Sequence, residues 1–183
     1  MIYVCEKNRR LAAHTFKYVL HYIMLFCVLG AGCGYHVGNG PAAIPGGVKS
    51  VAVPVFDNMT REPELGATLA EAMRAEILRR KAVTLLPENR AEAVIRGVAE
   101  EVRIDPLSYD RNGFTTAYRV WLKASVRLQR RDEILWRIEH IVKDEQIIID
   151  NQPLDNAVRR EYALNKIAAD LAKQIHTIML EGF

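Results

Sequence analysis

The stretch from Tyr118 to Gln129 alternates without a break. Tyr118, Val120, Leu122, Ala124, Val126 and Leu128 are apolar, and Arg119, Trp121, Lys123, Ser125, Arg127 and Gln129 stand between them. Successive side chains of a strand point to opposite faces, so this pattern puts six apolar groups on one side and mostly polar groups on the other. Such a half-buried strand belongs in an antiparallel sheet with one face against a core and one face open. A slip of one residue would turn the whole apolar set to water, so the pattern also fixes register. Arg130-Arg131-Asp132-Glu133 supplies a polar hairpin turn, and Ile134, Trp136, Ile138, His140 and Val142 carry the return strand.

Other elements arrange themselves around this hairpin. Residues 48–56 read as a strand, and Pro54 places it at an edge or ends it nearby, because proline cannot donate to a ladder. Residues 57–60 read as a turn. A helix is expected from about Pro63 to Arg80, with proline and acids at its start and Leu65, Leu69, Ala72, Met73 and Ile77 as its apolar stripe. Arg79, Arg80 and Lys81 suit its C-terminus. Residues 83–86 form a short extended piece ended by Pro87, and residues 93–105 a longer strand. Residues 107–113 form a polar loop with the turn pair Asn112-Gly113. The last helix is expected over about residues 156–180, capped by Asp155 or Asn156, with Leu164, Ile167, Ala168, Leu171, Ile175 and Ile178 facing inward. The fold class is α+β: two helices packed on one face of a mostly antiparallel sheet of about four strands, in the order β-α-β-β-β-α. The opposite sheet face presents Arg119, Trp121, Lys123 and Arg127 and is open to a partner.

Ahead of this domain lies a different composition. Lys7, Arg9, Arg10 and Lys17 make the N-terminal stretch basic, and a mostly apolar segment from Tyr18 to Val28 follows. A basic region, an apolar region of about 7–15 residues and a small-residue exit are the parts of a secretory signal. A bilayer span takes about 20 apolar residues. This run is shorter, interrupted by His21 and fading into glycine. The exit reads Leu29-Gly30-Ala31-Gly32-Cys33, small residues before a cysteine, as in bacterial lipoproteins. Residues 1–32 are therefore expected to be a lipoprotein signal peptide, Cys33 the acylated first residue, residues 33–47 a Gly- and Pro-rich tether, and residues 48–183 a single domain. Cleavage nearby by ordinary signal peptidase would instead leave Cys33 a free thiol. Gly34 follows the cysteine where aspartate would retain a lipoprotein at the inner membrane, which points to the outer membrane.

This partition changes the charge argument. The leader holds four of the chain's 25 Lys/Arg and one of its 22 acids, leaving 21 of each in residues 33–183. The formal +3 belongs to the leader and is no sign of a nucleic-acid partner; any basic surface is local. Cys5 and Cys27 lie in the leader, so no disulfide is expected. His36, His140 and His176 are widely spaced and form no zinc pattern, and neither metal nor cofactor is implied. No nucleophile elbow or phosphate loop occurs. Glu100-Glu101 and Arg130-Arg131 read as solvated charges.

The order of short motifs then resembles a known family. The Cys33-Gly34-Tyr35-His36 start, the Val-Ala-Val-Pro-Val-Phe-Asp-Asn strand, the Glu-Pro-Glu-Leu helix start, the Pro-Leu-Ser-Tyr-Asp loop and the Tyr-Arg-Val strand are together similar to LptE, the LPS-assembly lipoproteins. The resemblance spans nearly all of residues 33–183. It implies a non-enzymatic outer-membrane lipoprotein, lipid-anchored on the periplasmic side, that plugs the LptD β-barrel, assists its assembly and contacts lipopolysaccharide. Arginine recognises phosphate through a planar fork, and Arg127, Arg130, Arg131 and Arg137 cluster around the hairpin in sequence. They are the candidate lipopolysaccharide contacts, against the plainer role of keeping a strand edge soluble. Two other functions are weighed: an auxiliary lipoprotein of an ABC-type lipid-transport system, and a lipid-anchored periplasmic hydrolase.

Overall fold

The computed structural model describes residues 44–149 and 153–181, with side chains for residues 44–149 and 156–181. The expected signal peptide, Cys33, His36 and the tether up to residue 43 lie outside what is described, as does the side chain of Asp155, whose backbone, like that of Asn156, falls inside the last helix instead of capping it. A short 3-10 turn at Pro45–Gly47 precedes β1 (Ser50–Ala52) and β2 (Asp57–Asn58). Then come α1 (Leu65–Arg80), β3 (Thr84–Leu85), β4 (Ala93–Tyr109), β5 (Thr115–Arg130), β6 (Glu133–Ile148) and α2 (Pro153–Glu181).

The class is α+β as expected, but the sheet differs. Among the described residues it has six strands in the order β3-β1-β4-β5-β6, with β2 also beside β4. β1 pairs in parallel with both β3 and β4, and β2 pairs in parallel with β4. Among the described residues only β4–β5 and β5–β6 are antiparallel. The sheet is therefore mixed rather than mostly antiparallel with about four strands. Val51, Ala52 and Val53 are all buried, and continuous rather than alternating burial is what a covered parallel strand requires. β1 is also not an edge strand. It ends at Ala52, two residues before Pro54, and the chain then crosses to β2 by way of buried Phe56.

Two glycines make that crossing possible. The Phe56 amide donates to the Gly66 carbonyl at 3.2 Å. A Cβ on Gly66 would lie 2.1 Å from the Phe56 carbonyl oxygen, and a Cβ on Gly97 would lie 2.2 Å from the Phe56 ring. Both contacts are far closer than packed carbon atoms tolerate.

Helix α1 begins after Glu64, which takes the left-handed conformation at φ 60°, so Pro63 lies outside it. Leu65, Leu69, Met73 and Ile77 are buried as expected, while Ala72 is half-buried. Lys81, also left-handed, ends the helix by donating to the Ile77 carbonyl at 3.0 Å. Helix α2 begins at Pro153 rather than at residue 156, using the tolerance of a first turn for proline. Its buried stripe is Leu164, Ile167, Ala168, Leu171, Ile175 and Met179, with Ile178 half-buried.

The two helices pack on each other and on the sheet, and their stripes join Val120, Leu122, Ala124, Val126 and Leu128 of β5 in one core. β4 runs on to Tyr109, past the expected limit at residue 105 and into the expected loop. Pro106 is accommodated there because the register with β5 slips beside it, between Pro106 and Ser108. The remaining turn is tied by Asp110, whose carboxylate accepts from the amides of Asn112 and Phe114 at 2.8 and 2.9 Å.

Candidate functional site

The face of β4, β5 and β6 turned away from the helices carries the polar half of the alternation. Its composition follows from register. Arg127 of β5 lies opposite Arg96 of β4 on one side and Arg137 of β6 on the other. All three side chains are exposed. Arg96 is held by the carboxylate of Glu88, and Arg137 lies 3.4 Å from Glu139. Arg127 has no ion-pair partner among the described residues. Val98 and Ile134, which share the open face, help line a pocket beside the row together with Asp57 and Glu139.

The four arginines expected to act together are thus sorted by the structure. Arg127 and Arg137 face each other across β5 and β6. Arg131 sits in the hairpin turn in the left-handed conformation, φ 53°, and is exposed. Arg130 has the parity of the buried residues, not of the open face. Its guanidinium donates to the Gly46 carbonyl at 2.7 Å and fastens the start of the domain to the end of β5. Arg96 was not foreseen, although its place opposite Arg127 makes it part of the same row.

Further along the face, two irregularities gather a second polar group. The β4–β5 register slips at Glu100 and the β5–β6 register slips opposite Ser125, where His140 adopts φ 58°. Both bulges aim their residues at Ser125. The Ser125 hydroxyl donates to Glu100, and it accepts from the His140 amide at 3.0 Å. The His140 ring nitrogen Nδ1 lies 2.8 Å from the other Glu100 oxygen, and Lys123 approaches at 3.7 Å. Burial pushes the Glu100 carboxyl up, but Ser125, His140 and Lys123 together hold it below the usual carboxylate range. Glu100 is therefore a bonded hub and not the solvated charge expected, whereas its neighbour Glu101 is exposed. The serine, histidine and glutamate do not make a nucleophile–base pair: the hydroxyl proton goes to the carboxylate, and Ser125 meets the backbone of His140 rather than its imidazole.

Beyond this hub lies Trp121. Arg103 and Arg119 place their guanidinium carbons 5.7 and 5.5 Å from the indole centroid, a cation–π arrangement. Arg119 also pairs with Asp144 at 3.5 Å. The open face in this way carries charged groups and an indole across three strands, with Val98, Ile134 and Val142 among them.

Among the described residues no group of three or more His, Cys, Asp and Glu could hold a metal ion. No helix among them is long and apolar enough to cross a membrane. The LptE family model, described as lipopolysaccharide-assembly, matches residues 48–179. Among solved structures, rare lipoprotein B from Shewanella oneidensis is similar with a TM-score of 0.53 at 13% identity, covering 73% of this chain and 96% of that one. An uncharacterized lipoprotein B from Nitrosomonas europaea is similar with a TM-score of 0.50 at 16% identity, covering 78% and 88%. At such identities these two likenesses concern the fold alone. No curated protein matches the chain.

Proposed function

We propose a function for this chain from one premise: it belongs to the LptE lipopolysaccharide-assembly family. It is a lipopolysaccharide-assembly lipoprotein by that membership. In our reading, residues 1–32 are removed, Cys33 is acylated, and residues 33–47 tether a domain of residues 48–183 to the periplasmic side of the outer membrane. The domain plugs an LptD-like β-barrel, supports the barrel's assembly and helps pass lipopolysaccharide towards the outer leaflet. It performs no catalysis; its work is binding and positioning.

The observation that carries this reading is the family match, which coincides with the folded domain from the residue before Lys49 to the last turn of α2. The surface chemistry supports it. A barrel lumen is polar, and the domain offers an open sheet face of paired charges over an apolar core. On that face Arg127 and Arg137, with Arg131 at the tip, are the contacts we assign to lipopolysaccharide phosphate. Arg130 keeps a structural role at Gly46.

Affinity capture of the tagged chain from detergent-solubilised envelopes, with mass spectrometry of stoichiometric partners, tests the proposal. One large outer-membrane barrel that stays bound in high salt is the expected result. An inner-membrane ABC transporter in its place would overturn the reading in favour of an auxiliary transport lipoprotein. Absence of any stoichiometric partner would overturn it as well.

A further inference from the structure

The row Arg96–Arg127–Arg137 poses an electrostatic problem that the fold solves only in part. Neighbouring strands lie about 4.8 Å apart, so three guanidinium-bearing side chains start within roughly 10 Å on one face. Like charges directly opposite each other in a sheet are unfavourable. The two outer arginines are each met by one carboxylate, Glu88 on Arg96 and Glu139 on Arg137. The central one is not. Arg127 stands exposed between two other cations, beside a pocket to which Val98 and Ile134 contribute apolar groups on the same face.

We propose that Arg96, Arg127 and Arg137 form one phosphomonoester site, in which Glu88 and Glu139 are internal counter-ions that the incoming phosphate displaces. This rests on the reading above that arginines of this face meet lipopolysaccharide phosphate; it adds Arg96 and a mechanism of competition. A phosphomonoester dianion offers three oxygens, and each guanidinium presents parallel N–H donors suited to them. Arg127 makes the first contact because no carboxylate among the described residues pairs with it. Glu88 and Glu139 quiet the repulsion within the empty row, and for the same reason they weaken binding. Both carboxylates are exposed, so they can swing into water when released. The apolar groups of Val98 and Ile134 beside the row suit a phosphate carried on a lipid better than a free ion.

The test uses the full-length chain in mixed detergent micelles, with binding followed by calorimetry. One set of micelles carries bisphosphorylated lipid A, a second carries the same lipid after enzymatic dephosphorylation, and inorganic phosphate serves as free competitor. We expect tighter binding to the phosphorylated micelles and an approximately tenfold loss in Arg127→Ala. Arg96→Ala and Arg137→Ala should fall in the same direction, and Arg127→Lys should lie between wild type and Ala, keeping charge without the fork. Glu88→Gln and Glu139→Gln should each tighten binding about threefold, because a competitor is gone. Glu161→Gln, an exposed change on α2, controls for net charge. Circular dichroism melts establish that each variant is folded.

If the arginine variants weaken binding while Glu88→Gln and Glu139→Gln leave it unchanged or weaken it, the competition mechanism is overturned and the arginine reading stands. If only Arg96→Ala is silent among the arginines, the three-membered site is overturned. If none of the arginine variants matters, or dephosphorylation makes no difference, both the inference and the reading beneath it fall. Competition by inorganic phosphate at concentrations matching the lipid would assign the site to a free ion and overturn the lipid-headgroup source.

Discussion

His176 offers a test of how this core is held together. It lies on α2 with 2% of its surface exposed, and neither ring nitrogen has a hydrogen-bond partner among the described residues. The charged groups that face it from α1 are Glu76, Arg79 and Arg80. A neutral imidazole has one donor and one acceptor, and leaving either buried and unsatisfied costs about 1–3 kcal/mol. His176→Leu removes both groups at similar size, at a repacking cost below about 1.5 kcal/mol. The net expectation is a gain of about 1–2 kcal/mol, each kcal/mol being worth about 2–4 °C in Tm for a domain of this length. The pH dependence sharpens the test. Burial pushes the imidazole below its ordinary value of 6.5, and the two arginines oppose the help from Glu76. The unfolded chain therefore binds the proton more readily than the folded one. The stability contributed by neutral His176 is complete above about pH 6.5 and is lost as pH falls from there towards the folded value. Urea unfolding of wild type and His176→Leu at pH 7.5 and pH 5 measures both effects. The variant should be the more stable at pH 7.5, and its advantage should grow at pH 5. A variant less stable than wild type by 1 kcal/mol, or an advantage that does not change with pH, would refute the reasoning and show that the imidazole is satisfied.

Glu76→Gln should lower stability at neutral pH by about 1–2 kcal/mol, since Glu76 accepts from Arg79 at 2.6–2.7 Å and from Arg80 at 2.8 Å and both arginines are partly solvated. The Arg79 hydrogen bond chiefly, with Arg80 and against burial, holds the Glu76 carboxyl at about 2 instead of 4.5. Its contribution is complete above pH 4.5 and vanishes as pH falls towards 2, so the variant's acid-unfolding profile should lack that decline; an unchanged profile contradicts the pairing. Gly97→Ala should cost about 1–3 kcal/mol in chemical denaturation, because the new methyl meets the Phe56 ring, and a change under 0.5 kcal/mol would show that the ring moves aside freely. Cys33→Ala should accumulate as unprocessed precursor on immunoblots of fractionated envelopes, and normal processing with membrane recovery would remove the lipid anchor.

What the sequence displayed clearly was local. The alternation from Tyr118 to Gln129 told both the strand and its buried face, since one residue in two suffices to define a half-covered sheet. Helix stripes were equally readable, because Leu65, Leu69, Met73 and Ile77 recur within one element. The parallel pairings of β1 with β3 and β4 were not readable: they join short segments separated by a helix, and two residues of β3 carry no periodicity. The ends of α1 depended on the left-handed Glu64 and Lys81, conformations that neither side chain announces. Arg130 could have been sorted by extending the alternation two residues past Leu128, which gives it the parity of the core. Arg96 could not, because its neighbourhood with Arg127 depends on the β4–β5 register.

The division between the two faces of the sheet also explains where irregularity was permitted. On the helix side, a displaced residue would open a void or bury a charge, and β5 runs there without interruption from Val120 to Leu128. The bulges at Glu100 and His140 lie in the flanking strands, and both bend polar groups onto the open face around Ser125. Each bulge removes a regular pairing, and the Glu100 hub replaces it with side-chain bonds that join three strands. The same hub ties β4, β5 and β6 together midway along their length. The arginine row lies on one side of it and Trp121 on the other. A face built this way presents Arg96, Arg127 and Arg137 from the backbone of paired strands, a firmer base than a loop. That rigidity is what a surface needs if it is to read a phosphorylated lipid by geometry as well as by charge.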